Sequence, residues 1–112
     1  VGGEKDGIKT SEDYWMAILS VCKQKQYNLV LVEENFKTEV DLEKIYPSLV
    51  RLAEHFRGIT IIFVDHQLSH YSTNKFGQMI AENQGVACHV YNSTDEAYEK
   101  LNEIINRHYR TA

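Results

Sequence analysis

The sequence predicts an α/β protein: a small parallel sheet with flanking helices, in the order α-β-α-β-α-β-α. Three observations lead there. Short β-branched and leucine-rich runs, NLVLVEE, ITIIFVD and VACHVY, alternate with longer stretches whose apolar residues recur at helical spacing. The segments between the runs are long enough for helical crossovers, which makes the strands parallel and the crossovers right-handed. The 112 residues, 43% hydrophobic and 25% charged, supply one core and leave no room for a second domain. Residues 1–9 read as a flexible lead-in or remnant strand, 10–107 as the domain, and 108–112 as a frayed tail.

The elements follow in order. The lead-in VGGEKDGIK is glycine-rich with little apolar periodicity. TSED then offers an N-cap and first-turn acids, and Tyr14, Trp15, Ile18, Leu19 and Cys22 form the stripe of a first helix ending near Gln26. NLVLVEE is the first strand. From Asp41, Leu42, Ile45, Tyr46, Leu49, Val50, Leu52, Ala53 and Phe56 outline an amphipathic second helix. Pro47 calls for either a bend near Tyr46 or a helix that properly begins there. Gly58 suits its C-cap, and ITIIFVD is the second strand. Ser72 is the expected cap of a third helix, with Phe76, Met79 and Ile80 inward and Gly85 closing it. VACHVY is the third strand. Ser93 and Glu96 form an S-x-x-E capping box for a last helix with Ala97, Tyr98, Leu101, Ile104 and Ile105 inward.

Composition excludes several functions. The formal charge of −4, with scattered Lys and Arg, provides no basic field for nucleic acid or anionic lipid. No apolar run approaches a membrane span, and the N-terminus lacks the apolar core of a signal peptide, so the expected location is cytoplasmic. Cys22 and Cys88 sit among apolar neighbours and read as buried thiols; there is no C-x-x-C. Val1 in place of Met implies a processed, trimmed or truncated product. Phosphate-cradling loops of the G-x-x-x-x-G-K-[ST] and G-x-G-x-x-G kinds and the G-x-S-x-G elbow are missing. The reading is a protein that is not an enzyme and needs no cofactor or metal.

GIKTSEDYWMAILSVCK resembles the glycine, threonine and acidic-turn entry to the first helix of SpoIIAA-like proteins of the STAS superfamily (sulfate transporter and anti-anti-sigma factor). NKFGQMIAENQGVACHVYNSTDEAYEKL resembles their closing pattern of helix, Asn-x-Gly turn, short strand and final helix. The resemblance spans roughly residues 7–105 and implies a cytoplasmic, non-catalytic regulatory or protein-interaction module. Such proteins usually begin with a β-hairpin; here that hairpin is absent or reduced. The resemblance also implies a phosphoacceptor after the first strand. Thr38 is the only hydroxyl in EENFKTEVDLEK. Glu33, Glu34, Glu39 and Asp41 oppose a phosphate there, while a helix N-terminus offsets part of that repulsion.

Three parallel strands leave two exposed edges, so a protein partner or self-association is expected to cover one. In open parallel sheets ligands gather at the carboxyl ends of the strands. That rim collects Glu33, Glu34, Asn35, Asp65, His66, Tyr91 and Asn92, the candidates for a small-molecule site (nucleotide, lipid or metabolite) as the alternative to an interaction module. His66 and His70 have a spacing that suits a helix, but HQLSHY reads as a loop, which weakens a metal site. Asp65 and His66, as consecutive residues, point apart and make a poor acid–base pair. His55 and His89 read as face and strand residues, and Trp15 as a core anchor.

Overall fold

A computed structural model describes residues 8–35 and 42–110, with side chains over 13–35 and 46–107. The elements are α1 (Ile8–Lys25), β1 (Leu29–Glu34), α2 (Leu42–His55), β2 (Thr60–Asp65), a 3-10 turn (Leu68–His70), α3 (Tyr71–Asn83), β3 (Cys88–Tyr91) and α4 (Thr94–Arg110). The three strands are parallel and lie in the order β1-β2-β3.

Alternation along β2 divides the core. Ile61 and Phe63 face a cluster with Ile18, Leu19 and Cys22 of α1, Ala53 of α2, Phe56, and Ala81 of α3. Ile62 and Val64 face the other way, onto Ala97, Leu101 and Ile104 of α4. Three helices therefore pack on one face and α4 on the other. Trp15 anchors the first cluster, edge-on to Phe56 with centroids 5.7 Å apart and tilted on Phe63 at 5.7 Å. Both cysteines are free and buried. Burial pushes the Cys22 thiol up and the Cys88 thiol up to about 12, with Glu82 adding to the latter.

The helix ends follow capping chemistry. Gln26 adopts φ 61°, left-handed for a non-glycine residue. It completes a Schellman turn, Tyr27 N–H donating to the Cys22 carbonyl at 2.8 Å and Gln26 N–H to that of Lys23 at 3.4 Å. Gly85, at φ 82°, closes α3 in the same way through Val86 N–H and the Ala81 carbonyl at 2.9 Å.

Several expectations need correction. α1 opens at Ile8, ahead of the TSED cap, so the last part of the expected lead-in is helical. Of the two alternatives at Pro47, a helix beginning there is ruled out, since α2 runs through it from Leu42. Tyr46, Met79 and Tyr98 are exposed, not inward. In α3 the inward arc is taken by Ile80 and Ala81, which leaves Met79 outside. In α4 the stripe that meets the sheet is Ala97, Leu101 and Ile104, and Tyr98 lies one helical step off it. α4 continues to Arg110, into the expected tail. Residues 1–7 and Thr38, with its phosphoacceptor role, lie outside the described residues.

Candidate functional site

The carboxyl ends of β1 and β2 bring together two acid–imidazole pairs, one on each face of the sheet. Residues in register on parallel strands share a face, and Glu33 pairs with Val64 while Glu34 pairs with Asp65. Glu33 therefore points to the α4 side, and Glu34 and Asp65 to the side of α1, α2 and α3.

Asp65 is 2% exposed, and its carboxylate accepts three hydrogen bonds. Oδ1 takes the Gln67 backbone N–H at 2.9 Å, an Asx turn that bends the chain out of β2. Oδ2 takes His70 Nδ1–H at 2.9 Å and Asn74 Nδ2–H at 2.9 Å. His70 is 7% exposed and stands at the end of the 3-10 turn, whose coil swings its ring back over Asp65. An oxygen that receives N–H donors fixes the imidazole tautomer with the proton on Nδ1.

Glu34 lies beside this group. Burial, and then the neighbouring Asp65 charge, push its carboxyl up to about 8. Tyr14 of α1 stands nearby with a buried hydroxyl, and its acidity is suppressed by burial and by Glu34. At neutral pH Glu34 therefore keeps its proton next to the Asp65 carboxylate.

On the opposite face His66 Nε2 meets Glu33 Oε1 at 2.7 Å, and Thr94 at the start of α4 donates to the same oxygen at 3.5 Å. Both members of the pair are open to water, with side chains 35% and 43% exposed. Gln67 Nε2 donates to Asn35 Oδ1, joining the two strand ends. Asn92, half-buried, stands apart at the junction of β3 and α4.

The rim residues are thus split by the sheet into a buried face and an exposed one. HQLSHY is not an irregular loop: Leu68–His70 coils and passes directly into α3 at Tyr71, so Ser72 falls inside the first helical turn and caps nothing. His66 and His70 go to different carboxylates rather than to a common ligand position. Among the described residues no group of three or more His, Cys, Asp or Glu is placed to hold a metal ion. Asp65 and His66 point apart, and the partner of Asp65 is His70. Neither Asn74 nor Tyr14 was a sequence candidate. The available signal was Asp65 itself, since an aspartate ending a strand is the usual start of an Asx turn. Among the described residues no helix is long and apolar enough to cross a membrane.

Comparison with known proteins adds no assignment: no family model, no curated protein and no solved structure matches the chain. What the fold and site define is a class, an α/β protein with a three-stranded parallel sheet and a polar cluster on either face of its carboxyl edge.

Proposed function

We propose that this chain is a non-catalytic regulatory module of the SpoIIAA-like, STAS type that works by binding another protein. The observation that carries the reading is the state of the rim. Asp65 is occupied by three donors of its own chain, and Glu33 by His66 and Thr94. Groups tied to one another in this way hold β2, the 3-10 turn and α3 in register. The sheet order supports the same reading. In β1-β2-β3 both crossovers run in one direction, so among the described strands there is no point of reversal to open a ligand crevice. Partner binding falls to the outer ridge of α2 and α3. There Tyr46 and Phe76 have ring centroids 6.0 Å apart, and Tyr71 and Met79 of α3 are also exposed.

A second reading, a small-ligand site at the rim, is favoured by one observation: Glu34 is raised to about 8 next to Asp65, and perturbed acids concentrate at functional sites. Thermal melts against nucleotides, divalent cations and lipids separate the two. Saturation at a hundredfold excess over Kd adds about 2.7 kcal/mol, a shift of several degrees in a domain this size. The interaction reading expects every shift to stay below about 2 °C. A larger shift that disappears in His66→Ala or Glu34→Gln would overturn it in favour of the rim site.

A further inference from the structure

The edge of β1 has a definite backbone polarity. The Asn28 carbonyl accepts from Thr60 N–H at 2.8 Å, and the Glu34 carbonyl from His66 N–H at 3.1 Å. Even-numbered residues of this segment therefore turn their N–H and C=O toward β2. By alternation Leu29, Leu31 and Glu33 turn theirs outward. Among the described residues β2 is the only strand neighbour of β1.

Edge strands of soluble proteins are usually blunted by proline, by lysine, by a bulge or by shortness. LVLVEE has none of these: it is six residues long, runs in unbroken register with β2, and carries charge only at its carboxyl end. On the α4 side Leu29 and Leu31 are only half-buried, because α4 lies mainly over β2 and β3.

We propose that β1 pairs antiparallel with β1 of a second copy of this chain, about a two-fold axis at Leu31. The strand's own pattern selects this occupant. A two-fold axis perpendicular to the sheet sets residues of the same face opposite each other. Leu31 then meets Leu31, Val30 meets Val32, Leu29 meets Glu33, and Asn28 meets Glu34. The Leu31–Leu31 and Leu29–Glu33 pairs are the outward-facing ones, so they exchange both ladder hydrogen bonds. The apolar residues meet at the centre, and the acids of the two copies lie at opposite ends of the ladder. Parallel pairing in register would instead set Glu33 beside Glu33 and Glu34 beside Glu34, a like-charge arrangement that is destabilising and does not close. The result is a continuous six-stranded sheet, with Leu29 and Leu31 of both copies covering one another. This goes beyond partner docking at the α2–α3 ridge, and it stands or falls separately from the rim.

Light scattering on size-exclusion fractions tests it, over a roughly hundredfold range of concentration. The expected mass rises to twice the 13.0 kDa of the chain. Leu31→Pro deletes an N–H that points away from β2, so it should return the protein to monomer with its circular dichroism unchanged. Leu31→Cys places two thiols across the axis at a Cα separation of about 5.5 Å, within disulfide reach. Oxidation should give a covalent dimer, whereas wild type, with Cys22 and Cys88 buried, should stay monomeric on a denaturing gel. A mass of 13.0 kDa at every concentration overturns the proposal, as does a dimer that persists in folded Leu31→Pro. Should Leu31→Pro fail to fold, the covalent test decides alone, and the absence of a Leu31→Cys dimer overturns it.

Discussion

Glu34→Gln is the perturbation whose sign is least intuitive, because removing a strand-end acid should stabilise the protein, and by more as the pH rises from the ordinary carboxylate value toward about 8. The folded carboxyl is raised from 4.5 to about 8 by burial and by Asp65. Below the lower value both folded and unfolded chains carry the proton, and Glu34 contributes no pH dependence. Between the two values the folded chain keeps a proton that the unfolded chain has lost, so stability falls as pH rises, and it levels off above about 8. At about 1.4 kcal/mol per pH unit the interval sets a ceiling of about 5 kcal/mol. Glu34 is only half-buried and water screens part of the penalty, so we expect ~1–3 kcal/mol. Glutamine has no proton to lose and should remove the slope. Urea titrations followed by the single tryptophan, Trp15, measure both proteins from acid to alkaline pH. The gap between variant and wild type should be near zero at the acid end and reach its full size above about pH 8. A gap that is constant with pH, or that widens toward acid, would refute the burial of Glu34, with Asp65 beside it, as the cause of a raised carboxyl.

Three further outcomes follow from the geometry. Asp65→Ala leaves the buried donors of His70 and Asn74 without their acceptor and should cost about 3–5 kcal/mol in urea unfolding, whereas His66→Ala breaks an exposed pair and should cost under about 1 kcal/mol. Gln26→Gly relieves the left-handed backbone at the end of α1 and should raise stability by about 1 kcal/mol, seen as an upward shift in Tm with the circular dichroism unchanged. Cys22 and Cys88 should resist a thiol-specific colorimetric reagent in native buffer at neutral pH and react only on addition of denaturant; prompt reaction of either would contradict its burial.

The strands were legible because their signal is local. NLVLVEE, ITIIFVD and VACHVY have the length and branching of buried parallel strands, and each contains one of the three. Glycines with a positive φ requirement punctuated two helix ends, at Gly58 and Gly85. The misplacements came where the deciding contact is distant in sequence or absent from helical periodicity. Met79 satisfies an inward spacing with Phe76, but the arc that meets the sheet is set by Ile80 and Ala81. Tyr46 is apolar in pattern, yet its ring packs outside against Phe76 across the α2–α3 seam. At the rim, consecutive numbering drew attention to Asp65 with His66. Their true partners, His70 and Glu33, are supplied by a 3-10 coil and by the adjacent strand, and neither can be read from a spacing rule.

The division of helices between the two faces has a consequence for the time order of synthesis. β1, β2 and β3 stack in the order in which they are made, and α1, α2 and α3 cover one face as they appear. The other face waits for α4, which is made after all three strands, so Ile62 and Val64, fully shielded in the folded chain, are bare on the growing chain until α4 has emerged. A chain interrupted before Thr94 would present a one-sided sheet to the cell, and damage to α4 should register first as precipitation and recruitment of chaperones rather than as a lowered melting point.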